Sequence, residues 1–104
     1  MEKKLNQSGN SFIKTSEQPL SILTSEQKAK LNRRGNELYN ENKIEAAERI
    51  FVTTGYSDGL IRVGDYYVKR NEKLKALKCY HLAHNKPKED MILDELAAVI
   101  RLFL

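Results

Sequence analysis

Cysteine is nearly absent from the sequence, with one among 104 residues, and proline occurs only twice. A single cysteine cannot build a disulfide framework, and it excludes a zinc site made of four cysteines. No stretch approaches the roughly 18 consecutive apolar residues of a membrane-spanning helix. The first residues also lack the apolar segment of a signal peptide. We therefore expect a cytoplasmic protein in a bacterial-type cytosol, without membrane insertion.

The remaining composition is that of a small soluble domain, with 40% apolar residues, 31% charged residues and a net charge of +4. The length allows one domain. Residues 1–24 are rich in Ser, Asn, Gln and Lys and show no sustained helical period. We therefore predict a flexible N-terminal tail over residues 1–24 and a folded domain over residues 25–104.

Apolar residues recur at helical spacing in five segments after residue 24. Thr24 to Gln27 fits a capping box at the start of the first segment, and Gly55 is expected to end the second. The predicted helices span about 26–40, 44–53, 59–70, 73–84 and 88–103. Nothing alternates with period two for long enough to form a strand, so the predicted fold class is all-α.

An internal repeat relates the first two predicted helices to the next two. A shift of 29 residues aligns Leu31 with Leu60, Gly35 with Gly64, Asn42 with Asn71, Ala47 with Ala76, and Phe51 with Tyr80. A small residue in the first helix of each pair lets the second helix approach closely. The aromatic residue one turn after the alanine then covers the end of the hairpin.

This spacing, Gly-x-x-[large]…Ala-x-x-x-[aromatic], resembles the helix–turn–helix unit of the tetratricopeptide repeat family. The match runs through Gly35, Leu38, Ala47 and Phe51, and again through Gly64, Tyr67, Ala76, Tyr80 and Ala83. It covers residues 28–87 and implies two stacked antiparallel helical hairpins, with residues 88–104 as a capping helix. The period is about five residues shorter than the family's usual 34. A generic antiparallel bundle with Gly and Ala in its core is the alternative.

The resemblance implies a non-enzymatic interaction module, such as a scaffold, adaptor or small chaperone. In that family, the first helix of each pair lines a concave groove in which a protein partner lies. Carried over by position, the groove residues are Asn32, Asn36, Tyr39, Asn40, Ile61, Asp65, Val68 and Lys69. Asn side chains can bond an extended backbone, and Lys69 can take a carboxylate. Ordinary exposed polar residues would have the same pattern.

The last predicted helix is a second candidate surface because its apolar residues cover more than one stripe. Ile92, Val99 and Phe103 have no evident partner inside so small a domain. A wide apolar face of this kind commonly marks a protein interface, so we predict self-association or partner binding there. A chain that continues beyond Leu104 would have the same appearance.

Catalysis has little support in the sequence. His81 and His84 share a helix face, but two histidines alone make a weak metal site, and Cys79 points elsewhere. We expect no catalytic residues, no metal and no cofactor. The alternative function is a basic nucleic-acid-binding domain, which is based on the cluster Lys69, Arg70, Lys73, Lys75 and Lys78. We favour a solvated helix face for this cluster, because no aromatic residue interleaves for base stacking.

Overall fold

The computed structural model describes residues 22–104, which form five α-helices joined by short turns. The helices are α1 (Ser25–Asn40), α2 (Ile44–Thr54), α3 (Ser57–Lys69), α4 (Lys73–Leu82) and α5 (Lys86–Leu102). No strand occurs in this part of the chain, so the all-α prediction is confirmed. The predicted tail lies outside the described residues up to position 21.

Capping side chains fix where the first and last helices begin. The Thr24 hydroxyl accepts a hydrogen bond from the Gln27 N–H at 3.1 Å, and the Gln27 side chain accepts one from the Thr24 N–H at 2.9 Å. This reciprocal arrangement confirms the predicted capping box. At α5, the Asn85 side chain accepts from the Lys88 N–H at 3.1 Å, so the helix begins two residues earlier than predicted.

Helix α3 also begins earlier than predicted, at Ser57 rather than at Gly59. Ser57 and Asp58 have side chains that could cap a helix, but both lie inside α3. Tyr56 occupies the cap position without a side-chain hydrogen bond to the helix. Its ring packs on Phe51 with centroids 5.5 Å apart. Hydrophobic packing, rather than a polar cap, therefore sets the start of α3.

Residues with a left-handed backbone conformation lie in the turns between consecutive helices. Asn42 (φ 67°) and Asn71 (φ 60°) lie in the turns after α1 and α3, whereas Gly55 (φ 73°) and His84 (φ 59°) lie after α2 and α4. Each pair is separated by 29 residues, the same shift as in the sequence. Glycine and asparagine suit this conformation. The internal repeat is therefore present in the backbone as well.

The helices form two hairpins that lie side by side, with α5 against the second. Helix α1 packs along α2, and α3 packs along α4. Contacts between α2 and α3 join the hairpins, α1 also reaches α3, and α5 packs on α4. The residues buried most completely lie where these contacts meet: Ala47, Phe51, Leu60, Val63, Ala76 and Cys79.

Two glycines allow the helices of each hairpin to approach closely. A Cβ added to Gly35 would lie 2.6 Å from a ring carbon of Phe51, and one added to Gly64 would lie 2.6 Å from a ring carbon of Tyr80. A third glycine, Gly59, is equally close to Phe51 from the side of α3. The aromatic rings thus fill the space that side chains at these positions would need. No helix in the described residues has the length and apolar character needed to cross a membrane.

Candidate functional site

Predicted groove residues on α1 form hydrogen bonds to other helices. Asn32 accepts a hydrogen bond from the Thr54 hydroxyl at 2.6 Å. Asn36 accepts one from the Arg62 guanidinium at 2.9 Å. Asn40 remains exposed at the end of the helix. Two of the three predicted asparagines therefore connect helices, and their carbonyl oxygens are already engaged.

Arg62 links α3 to α1, a role that was not predicted from the sequence. Besides its bond to Asn36, its guanidinium lies over the ring of Tyr39, 5.3 Å from the centroid. The Tyr39 hydroxyl donates to the Arg62 carbonyl at 3.5 Å, and the Tyr39 ring meets Tyr66 edge-on at 6.5 Å. Ile61 is half-buried against the core. This end of the predicted groove is consequently a packed contact between helices.

An open cavity of about 310 Å³ lies between α3 and α5. It brings together three predicted groove residues, Asp65, Val68 and Lys69, with residues that the prediction did not include. The complete lining is Asp65, Val68, Lys69, Tyr80, Lys88, Met91, Ile92 and Glu95. Val68 and Met91 expose apolar surface, whereas Tyr80 and Ile92 are buried beneath it. The cavity therefore has an apolar floor with charged groups around it.

The negative charge of Asp65 is compensated within this cavity. Its carboxylate accepts hydrogen bonds from the Tyr80 hydroxyl at 2.5 Å and from the Lys88 ammonium at 3.2 Å. The Lys88 ammonium also lies 5.5 Å from the centre of the Tyr80 ring. Burial and the hydrogen bond to Asp65 raise the pKa of the Tyr80 hydroxyl, which stays protonated and keeps donating.

Two charges at the cavity have no partner in the described residues. Lys69 on α3 and Glu95 on α5 are exposed, and neither forms an ion pair or a side-chain hydrogen bond there. Because the Asp65 charge is already compensated, Lys69 and Glu95 are the charges available to a bound molecule. One lies on each helix that lines the cavity.

The prediction of an apolar surface on the last helix is wrong for one residue. Ile92 is 2% exposed and belongs to the core, because the first half of α5 packs on α4. The repeat could have shown this, since a shift of 29 residues places Ile92 on the fully buried Val63. Val99 (49% exposed) and Phe103 (83% exposed) do lie at the surface. Other exposed apolar residues of this region are Met91, Leu93, Ile100, Leu102 and Leu104.

Residues of the basic cluster line different cavities. Lys69 lines the cavity between α3 and α5. Arg70 and Lys75 line a different cavity of about 510 Å³, between α2 and the second hairpin, and both form ion pairs with Glu72. Lys73 donates to the side chain of Asn71 at 2.8 Å. Lys69 therefore lines a different cavity from Arg70 and Lys75, and the charges of Arg70 and Lys75 are already paired with Glu72.

Cys79 and the histidines occupy separate environments. Cys79 is fully buried, and its thiol lies 3.7 Å from a carboxylate oxygen of Glu48. Burial, reinforced by that carboxylate, raises the pKa of the Cys79 thiol to about 12. His81 contacts Glu89 on α5 through Nδ1 at 2.7 Å, whereas His84 forms the left-handed turn after α4. No group of three or more potential metal ligands occurs in the described residues.

Almost the whole chain aligns with a relative. A protein of Treponema pallidum (strain Nichols), described as an uncharacterized protein, is 42% identical over 101 residues, which is 97% of each chain. The chain belongs to the same family as this protein. No family model matches the chain, and no solved structure matches it.

Proposed function

We propose that the protein is a non-enzymatic interaction module, which acts as a scaffold, adaptor or small chaperone in the cytoplasm. Its partner is a protein, a segment of which is held in the cavity between α3 and α5. One observation carries the proposal: an apolar floor with Val68 and Met91 exposed lies between the unpaired charges of Lys69 and Glu95. An apolar site with a few charged groups around it is typical of binding pockets.

The chemistry of the cavity favours an apolar side chain flanked by charged residues. Such a side chain would cover Val68 and Met91 and remove their surface from water. An acidic residue beside it would pair with Lys69, and a basic one with Glu95. No cofactor takes part. The buried Cys79 thiol, with its raised pKa, suits a structural role rather than a nucleophilic one.

The repeat supports an interaction role for the fold. Helical hairpins related by a constant shift, with glycine against an aromatic ring in each, agree with the resemblance to tetratricopeptide repeats. In repeat proteins, stacked units create extended surfaces that bind other proteins. Nucleic-acid binding has less support because the basic residues line different cavities and two of them pair with Glu72.

Site-specific photo-crosslinking in the native host tests this proposal. A photoreactive residue replaces Val68, and in a control it replaces Leu74, an apolar residue of α4 that is 71% exposed. We expect one defined protein crosslinked at position 68 and not at position 74. A purified peptide from that protein should then bind the full chain and lose affinity for Lys69→Glu. Equal crosslinking at both positions would contradict the proposal.

A further inference from the structure

The cavity between α3 and α5 exposes apolar surface beside an unmatched negative charge. Val68 is 42% exposed and Met91 is 61% exposed. On the α5 side, Glu95 is exposed and forms no ion pair or side-chain hydrogen bond within residues 22–104. A segment that fits this surface therefore combines large apolar side chains with a cation next to them.

The first residues of the chain contain such a segment. Residues 1–21 lie outside the part of the chain that the structure describes, but their sequence places Phe12 and Ile13 side by side, followed directly by Lys14. No other two large apolar residues are adjacent between positions 1 and 21 of the sequence. Two apolar residues followed by a basic one match the apolar surface and the negative charge of the cavity.

Helices α1 and α3 run in the same direction, which determines where α1 begins relative to the cavity. Asn36 contacts Arg62. One turn further along both helices, Tyr39 meets Tyr66. The start of α1 and the cavity end of α3 therefore lie at opposite ends of these two helices. Residues before α1 reach the cavity by running back along the helices.

The connecting chain is long enough for this path. Helix α1 rises about 18 Å from Thr24 to Asn36, and α3 rises about a further 9 Å from Arg62 to the cavity residue Val68. With about 10–15 Å across to the far side of α3, the direct distance is about 30 Å. Ile13 lies 11 residues before Thr24, and that many extended residues span about 36–40 Å. An extended connection therefore brings Ile13 to the cavity.

We infer that residues 12–14 of this chain occupy the α3–α5 cavity of the same molecule. The two apolar side chains cover Val68 and Met91 and remove their exposed surface from water. The Phe12 ring lies against the Met91 thioether, a sulfur–aromatic contact that is favourable in proteins. Because the segment is tethered, its effective concentration at the cavity is about millimolar, so a weak contact holds it there. The predicted N-terminal tail is thereby anchored at one point.

Charge determines which groups of the cavity the segment uses. Lys14 pairs with Glu95, which has no partner in the described residues. Lys69 takes no part in this contact and stays available to an acidic residue of a protein partner. A partner that covers the apolar floor must displace residues 12–14, so the segment lowers the apparent affinity of the cavity for that partner.

This inference deepens the proposed function, and it rests on that proposal in taking the cavity as a protein-binding site. The two fail separately. A host protein crosslinked at position 68, with no crosslink to residues 12–14 in the purified chain, would remove the inference alone. A crosslink to residues 12–14, with no partner in the host, would remove the proposed function and leave the segment in the cavity.

Photo-crosslinking in the purified full chain tests the inference. A photoreactive residue replaces Val68, and mass spectrometry identifies the peptides joined to it. We expect a crosslink to residues 12–14 within one chain, at a yield that does not change with protein concentration. An equal mixture of unlabelled and isotope-labelled chains detects crosslinks between copies, which would join labelled to unlabelled peptides. Absence of the crosslink to residues 12–14, or its formation between copies, would overturn the inference.

Charge exchange tests the pairing with Glu95. Lys14→Glu places two negative charges together, so the crosslink yield should fall about fivefold or more. Lys14→Glu combined with Glu95→Lys exchanges the signs of the pair and should restore the yield. Lys4→Glu makes the same change elsewhere in residues 1–21 and should leave the yield unchanged. Equal effects of Lys4→Glu and Lys14→Glu, or failure of the exchanged pair to restore the yield, would overturn the pairing.

Discussion

Gly64 lies against the ring of Tyr80, so close that a Cβ at this position would come within 2.6 Å of Cε1. The ring has little freedom to move, because Tyr80 is 3% exposed and its hydroxyl donates to Asp65. The same relationship joins Gly35 to Phe51, one repeat earlier. In both hairpins, glycine therefore determines how near the second helix can come.

Gly64→Ala should consequently destabilise the protein, although alanine is the better helix former. The higher helix propensity contributes about 1 kcal/mol in favour of alanine. Overpacking against a fixed ring costs about 1–3 kcal/mol, and we expect it to outweigh the gain. Urea denaturation followed by circular dichroism measures the difference. Tyr80→Leu removes the obstructing ring edge. In that background, Gly64→Ala should lower the free energy of unfolding by less than it does in the unchanged chain. An equal loss in both backgrounds would contradict the steric explanation.

Arg62→Ala should loosen the contact between α1 and α3. The substitution removes the 2.9 Å bond to Asn36 and the stacking over Tyr39. We expect a loss of about 1–2 kcal/mol in the free energy of unfolding. Arg62→Lys should restore less than half, because an ammonium lacks the planar stacking surface. A double-mutant cycle with Asn36→Ala should give a coupling energy of about 0.5–1.5 kcal/mol. Additive effects would show that the bond to Asn36 contributes nothing.

Cys79 should be inert to thiol reagents in the folded protein. Its side chain is fully buried and its pKa is raised to about 12, so the reactive thiolate is scarce at neutral pH. We expect iodoacetamide to modify Cys79 only as fast as the protein unfolds. Urea should therefore accelerate the labelling, which mass spectrometry follows. Rapid labelling of the native chain would contradict the burial of this thiol.

The raised pKa of Cys79 also predicts alkaline destabilisation. In the unfolded chain the thiol titrates near its ordinary value of 9.0, whereas in the folded chain it titrates near 12. Unfolding therefore releases the proton between these values, and the stability contributed below pH 9 is lost as pH rises toward 12. The slope for this group is at most about 1.4 kcal/mol per pH unit. Tyrosines also titrate in this range, so the measurement compares the unchanged chain with Cys79→Ala, whose stability should fall less steeply.

Local signals made most of the fold predictable. Thr24 with Gln27 defined the first helix start, and Gly55 defined the end of the second, because both depend on residues adjacent in sequence. The glycine–aromatic contacts could be predicted from the internal repeat. Ile92 was misassigned as surface because the apolar width of α5 does not by itself reveal which stripe meets α4, although the repeat aligns Ile92 with the buried Val63.

The cavity was only partly predictable, for a related reason. Asp65, Val68 and Lys69 were predicted from the resemblance to tetratricopeptide repeats, which implies a groove lined by the first helix of each pair. Lys88 and Glu95 were missed because their position depends on how α5 sits against the second hairpin. Periodicity within a helix does not determine that packing. Hydrogen bonds between distant residues, such as Tyr80 to Asp65, arise only once the helices are assembled.

Charge and apolar substitutions in the α3–α5 cavity should weaken partner binding without unfolding the chain. Val68→Asp introduces a carboxylate on the apolar floor, and Lys69→Glu reverses the unpaired cation. Both residues are exposed, so each variant should keep its helical circular dichroism and its denaturation midpoint. Isothermal titration with the crosslinked partner's peptide should show a loss of about tenfold or more for each. Leu74→Asp, the same kind of change on α4 and outside this cavity, should bind normally. Loss of binding in Leu74→Asp, or none in Val68→Asp, would place the partner on another surface.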